Sequence, residues 1–146
     1  MSTVQDDIAV RVRTLATQLT RRQQRLATAE SCTGGLVAGA LTAQPGSSVW
    51  FDRGWITYSN TSKCEELQID HALIAQHGAV SEPVAAAMAS GARTMAHADY
   101  ALAVTGIAGP DGGTPDKPVG TVCFGWCTLT RTLTETHQFD GDRQRI

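Results

Sequence analysis

Val4, Ile8, Val12, Leu15 and Leu19 recur every three to four residues, with Arg and Gln between them. That spacing predicts an amphipathic helix lying on one face of a sheet. Leu26–Glu30 then reads as a short strand. The run Ser31-Cys32-Thr33-Gly34-Gly35 breaks it, and Leu36, Val37, Ala40 and Leu41 resume a helix that Gln44-Pro45-Gly46 ends. Residues 50–58 are aromatic and β-branched and predict a second strand. Ser59-Asn60 offers an N-cap for a short helix through Lys63 and Leu67, and residues 71–76 predict another, closed by Gly78. Ser81 caps a further helix with Pro83 in its first turn, and Val84, Met88, Ala92 and Met95 form its expected buried stripe.

Residues 100–105 (YALAVT) carry no charge, as expected of a central strand buried on both sides. A long Gly- and Pro-rich loop follows over residues 106–118. Residues 119–129 and 133–139 read as two strands paired about Thr130-Arg131, and Gly141-Asp142-Arg143 as the start of another helix. Helix and strand alternate and a hairpin closes the order. The expected fold class is therefore α/β: a three-layer sandwich with a mixed, mostly parallel sheet and helices on both faces. With no internal repeat and 146 residues, one domain over residues 1–146 is expected.

Composition narrows the classes. Hydrophobic residues make up 42% and charged residues 18%, which argues against a disordered chain. The formal charge of −2 comes without a clustered basic face, so no nucleic-acid partner is expected. No apolar run approaches the roughly 20 residues of a membrane span, and the polar N-terminus does not resemble a signal peptide, so no membrane partner and a cytoplasmic location are expected. Cys32, Cys64, Cys123 and Cys127 form no CxxC pair, and free thiols are expected in place of a metal site.

The turn at Ser31 is where chemistry can gather. A helix N-terminus exposes unpaired N–H groups and a partial positive charge, and glycines admit a ligand close to the backbone. A serine held there can attack a carbonyl while the N–H groups of Thr33, Gly34 or Gly35 hold the oxyanion. On these residues alone, a plain N-cap by Ser31 or Thr33 is the simpler reading. A phosphate cradle is a further one, although no Lys follows the last Gly as in a P-loop, and Ala29 stands where a GxSxG elbow has its first Gly.

A hydroxyl nucleophile needs a base. His71, His77, His97 and His137 neighbour no convincing strand end. Lys63 is better placed, in a run (ITYSNTSK) that leaves a strand at its C-terminal end, where sites of open α/β sheets gather. To act it must be neutral, which asks for a drop of roughly 3 units from about 10.4. Tyr58 could relay or orient a proton. In the 106–118 loop, Asp111 and Asp116 could accept ribose hydroxyls or face a pyridinium charge; a plain surface crossover is the alternative.

Taken together, TAESCTGG, YSNTSK, GAVSEPVAAAMASGAR, AVTGIAGPDGG, KPVGTV and FDGDR resemble, in order and spacing, the CinA C-terminal domain family, which includes stand-alone nicotinamide-nucleotide amidases of the PncC type. The resemblance covers the chain from about residue 4 onward. It implies a three-layer α/β amidohydrolase that converts nicotinamide mononucleotide to nicotinate mononucleotide and ammonia, with no cofactor and no metal. Carried over, Ser31 is the nucleophile, Lys63 its base and Tyr58 a neighbour; Thr33, Gly34, Gly35, Thr105, Gly106 and Arg143 bind the small-molecule nucleotide. The substrate phosphate is expected near the Gly106 loop or Arg143, because one helix end does not easily hold both an oxyanion and a phosphate. Such domains continue past the GDR run into a helix, which this chain is expected to begin and cut short. A homo-oligomer, with a dimer favoured, is expected from the exposed hairpin. The alternative is a non-catalytic nucleotide-binding or regulatory module of the competence-associated type. It would need neither a lowered lysine pKa nor contact between Lys63 and Ser31.

Overall fold

The computed structural model describes residues 3–146. Its elements are α1 (Val4–Arg22), β1 (Leu26–Glu30), α2 (Leu36–Thr42), β2 (Phe51–Ile56), α3 (Asn60–Leu67), α4 (His71–His77), α5 (Glu82–Ala96), β3 (Tyr100–Gly106), β4 (Thr121–Cys127) and β5 (Thr132–Gln138). A single 3-10 turn at Ser47–Val49 precedes β2, so that strand starts one residue later than its sequence pattern suggests.

The five strands lie in the order β2-β1-β3-β4-β5. β1 pairs in parallel with β2 and with β3; β4 runs antiparallel to β3, and β5 antiparallel to β4. The parallel core therefore sits at the β2-β1-β3 side and the hairpin extends it. β1 is the innermost of the parallel strands, and all five of its residues are buried. Covered on both faces, this strand buries even its polar residues, Thr28 and Glu30.

One face of the sheet is covered by α1 and α2. Val12, Ala16, Leu19, Leu26, Leu41 and Trp50 make its core. On the other face α5 lies across the sheet and carries Val84, Met88, Ala89, Ala92 and Ala96, with α3 and α4 adding Leu67 and Ile74. Two expectations are corrected by these contacts. Met95 is 39% exposed and falls outside the buried stripe, which continues through Ala89 and Ala96, three to four residues from Ala92. Residues 141–145 form one turn, not a helix: the Arg145 N–H donates to the Asp142 carbonyl and side chain and the Ile146 N–H to the same carbonyl, too few bonds to offset the cost of nucleation.

Side-chain caps fix where the helices beyond the strand ends begin. Ser59 and Ser62 form a reciprocal capping box at the start of α3, and Ser81 caps α5. No helix among the described residues is long and apolar enough to cross a membrane.

Candidate active site

Parallel strands end side by side, so the residues leaving them meet. The Ser31 N–H donates to the Val104 carbonyl at 2.9 Å, and the Thr57 N–H donates to the Glu30 carbonyl at 2.8 Å. These bonds carry the sheet pairing one residue past β1 and β2. They hold Ser31 and Thr57 on neighbouring chain ends, and α3 begins shortly after Thr57, at Asn60. Its second turn returns Lys63 over the sheet edge. The Lys63 Nζ donates to the Ser31 Oγ at 3.0 Å and to the Thr57 carbonyl at 2.6 Å. Lys63 is 1% exposed and Ser31 8% exposed, so this pair is all but closed to water. No carboxylate among the described residues pairs with the amine. Burial pushes the Lys63 pKa below the ordinary lysine value, and the neighbouring Cys32 and Cys64 thiols oppose that shift.

A cleft of about 270 Å³ opens above the pair. Ser31, Cys32, Tyr58, Asn60 and Lys63 line it, with Ala79, Val80, Thr105, residues 106–109, Asp111, Gly112 and Arg143. Thr105 is fixed by its hydroxyl, which donates to the Ala79 carbonyl at 2.9 Å. Gly106 has no room for a side chain: a Cβ there would stand 2.8 Å from Val122 Cγ2 and 3.0 Å from the Cys32 sulfur. The 106–118 loop is pinned at two points. The Lys117 Nζ donates to the His77 carbonyl at the C-terminus of α4, and the Arg143 guanidinium donates to the Gly109 carbonyl at 2.6 Å. These contacts make it a wall of the cleft.

Ser31, Lys63, Thr105, Gly106 and Arg143 thus meet around one cleft, and several expected placements are corrected. Tyr58 lines the cleft but hydrogen-bonds neither Ser31 nor Lys63; it is exposed ahead of α3 while Lys63 is buried, and its hydroxyl accepts from Arg143. Thr33, Gly34 and Gly35 are not among the lining residues. The Thr33 hydroxyl donates to Glu30 at 2.7 Å, the Gly34 N–H to the Ser31 carbonyl, and the Gly35 N–H to Glu30 at 3.2 Å. Both glycines take positive φ, 55° and 105°, which turns the chain into α2. Asp111 lines the cleft and Asp116 does not.

Sequence reasoning passed over Glu30. Its carboxylate is 1% exposed and also accepts from the N–H groups of Val37 at 2.9 Å and Ala38 at 3.0 Å. It therefore occupies the N-terminus of α2, whose N-cap Gly35 has no side chain to do so. That end of the helix is closed to a phosphate. The Gly34 and Gly35 N–H groups are taken up by the Ser31 carbonyl and Glu30, while those of Cys32 and Thr33 interact with the Cys32 thiol and oppose the rise that burial gives its pKa. A lone charged residue ending the otherwise uncharged strand LATAE, just before a helix start, was the available signal. Asn60 was also passed over as a lining residue. Among the described residues, no group of three or more His, Cys, Asp or Glu side chains gathers as a metal site.

The arrangement joins a buried hydroxyl, an amine held towards its neutral form and nearby backbone donors, as acyl transfer requires. Comparison with known proteins identifies the family. The family model for the CinA C-terminal domain matches residues 9–146. The chain is 49% identical over 139 residues to the nicotinamide-nucleotide amidohydrolase PncC of Pseudomonas putida, covering 92% of this chain and 87% of that protein. It is 50% identical over 129 residues to the protein of the same name from Escherichia coli K12, covering 88% and 78%. Among solved structures, it is similar to the competence/damage inducible protein CihA from Agrobacterium tumefaciens at a TM-score of 0.93 and 42% identity, covering 99% of this chain and 88% of that one. The CinA superfamily protein ECK1530/EC0983 from Escherichia coli superposes with a TM-score of 0.92 at 38% identity, covering 99% and 84%.

Proposed function

The chain belongs to the CinA C-terminal domain family, and from that premise we propose that it is an amidohydrolase converting nicotinamide mononucleotide to nicotinate mononucleotide and ammonia, with Ser31 as nucleophile and Lys63 as its base. The names of the curated relatives support the activity. The observation that carries the residue assignment is the 3.0 Å contact between the Lys63 Nζ and the Ser31 Oγ in a buried site.

In the working form Lys63 is neutral. One of its N–H bonds is held by the Thr57 carbonyl, which leaves the lone pair for the Ser31 proton. The Ser31 Oγ forms a bond to the carboxamide carbon as Lys63 takes that proton. The N–H of Cys32, which lines the cleft beside Ser31, receives the oxyanion. Lys63 then returns its proton to the nitrogen, the C–N bond breaks and ammonia leaves an acyl ester on Ser31. Water attacks the ester, its proton passes through Lys63 to the Ser31 Oγ, and the acid departs. A positioned base contributes about 10²–10⁴ in rate and one oxyanion donor about 10²–10³.

Glu30 fills the start of α2, so the phosphate is assigned to Arg143 at the rim, whose guanidinium keeps unused N–H groups after bonding Gly109 and Tyr58. The same reading takes residues 1–146 as one amidohydrolase domain, working as a homodimer in the cytoplasm; the four free cysteines among the described residues suit a reducing compartment. A purely binding module would gain nothing from burying an unpaired lysine against a serine, at a cost in stability. The test is ammonia release from nicotinamide mononucleotide by the wild type beside Ser31→Ala. Release by the wild type alone is expected; equal release by Ser31→Ala would overturn the nucleophile.

A further inference from the structure

Resting on that reading, we propose that Asn60 recognises the amide nitrogen of the substrate and turns it towards Lys63. Asn60 is the first residue of α3 and lines the cleft beside Ser31 and Lys63. Residues three apart on a helix share a face, so Asn60 and Lys63 serve the cleft from the same side of α3. An Asn at a helix start usually explains itself as a cap. Here the cap is made without it: the Ser62 N–H donates to the Ser59 Oγ at 3.0 Å and the Ser59 N–H to the Ser62 Oγ at 3.2 Å. The Asn60 amide has no hydrogen-bond partner among the described residues.

The other polar side chains of the cleft already hold protein partners or are acidic. Thr105 donates to Ala79, Tyr58 accepts from Arg143, and Lys63 holds Ser31 and Thr57. Asp111 is on the loop wall, away from α3 in the chain and carrying a charge. A primary carboxamide presents two N–H donors, and Asn60, exposed on the cleft lining, offers a neutral acceptor with no protein partner to give up. As the tetrahedral intermediate forms, the nitrogen becomes pyramidal and its lone pair is freed from conjugation with the carbonyl. With one N–H held by the Asn60 Oδ1, that lone pair is turned to the Lys63 ammonium that must protonate it, and ammonia leaves. An ester has no N–H and gains nothing from this contact, so Asn60 is a determinant of amide over ester.

The experiment compares kcat/KM for nicotinamide mononucleotide and for the nucleotide of methyl pyridine-3-carboxylate, in the wild type, Asn60→Ala and Asn60→Asp. The ratio of amide to ester is read within each protein, so a general loss of folding or of Ser31 reactivity cancels. In Asn60→Ala the ratio falls about 10-fold, the size of one lost hydrogen bond. In Asn60→Asp, which keeps the acceptor oxygen, the ratio is restored towards the wild type. An unchanged ratio in Asn60→Ala, including an equal fall for both substrates as ribose recognition would give, overturns the proposal. Failure of the wild type to release ammonia overturns the amidase reading itself, before any variant is compared.

Discussion

Replacing Glu30 by Gln tests whether a buried carboxylate holds the start of α2 and, with it, the turn that carries Ser31. Glu30 accepts four hydrogen bonds: Thr33 Oγ1 at 2.7 Å, Gly35 N at 3.2 Å and Val37 N at 2.9 Å on one oxygen, and Ala38 N at 3.0 Å on the other. Gln keeps the shape but has one acceptor atom. With its oxygen towards the three donors, its NH₂ group faces the Ala38 N–H, donor against donor; the reverse orientation is worse. The variant loses one charge-assisted bond, worth about 1.5–3 kcal/mol, strands the Ala38 N–H, and turns the other three into bonds to a neutral acceptor. Against this, an amide costs less to bury than a carboxylate. The net loss is about 2–4 kcal/mol of unfolding free energy, or roughly 5–15 °C in Tm for a domain of this size. Urea titration and thermal melts followed by circular dichroism measure it. A loss below about 1 kcal/mol, no more than an ordinary neutral hydrogen bond, would refute the reasoning.

Two further outcomes concern the cleft. Arg143→Ala raises KM for nicotinamide mononucleotide by about 10–100-fold, the value of a charge-assisted contact, and leaves the phosphate-free riboside little affected; equal effects on both would move the phosphate elsewhere. Lys63 has a folded pKa below its ordinary value, so between that value and about 10.4 the unfolded chain binds more protons, and stability rises with pH across this window. The cost of the buried amine is present in full below the window and absent above it. The unfolding free energy of the wild type, measured in urea against Lys63→Met, therefore gains on the variant as pH rises towards 10; a difference that does not move with pH would contradict the lowered pKa.

Local signals in this chain were legible where one residue type has one use. Ser59 and Ser81 mark their helix starts, and the uncharged run at residues 100–105 marks a strand covered on both faces. Ser31 and Lys63 stood out because both follow a strand end, and the parallel pairing of β1 with β2 brings those ends together. The features that could not be read required contacts across the fold. The Ser31 turn offers Ser31 and Thr33 as helix caps, yet the Thr33 hydroxyl and the Gly35, Val37 and Ala38 N–H groups go to Glu30, a residue whose role depends on how closely α2 approaches the end of β1. Tyr58 follows the strand as Lys63 follows the helix start, but its partner is Arg143, 85 residues away in sequence. Asn60 was hidden by Ser59: either could cap α3, and only the structure shows which one is left over. The final turn carries the same lesson, since Asp142 caps it as a helix start would while Arg143 is drawn to the 106–118 loop.

Catalysis as proposed depends on Lys63 taking the Ser31 proton as a neutral amine, and the pH dependence of kcat/KM for ammonia release from nicotinamide mononucleotide tests this most directly. Deprotonation of Lys63 switches the base on, so the rate rises with pH through its folded pKa. The expected result is an ascending limb centred below the ordinary lysine value of about 10.4 and absent from Lys63→Met, which has no amine to titrate. An ascending limb centred at or above that value, or one that persists in Lys63→Met, would contradict it.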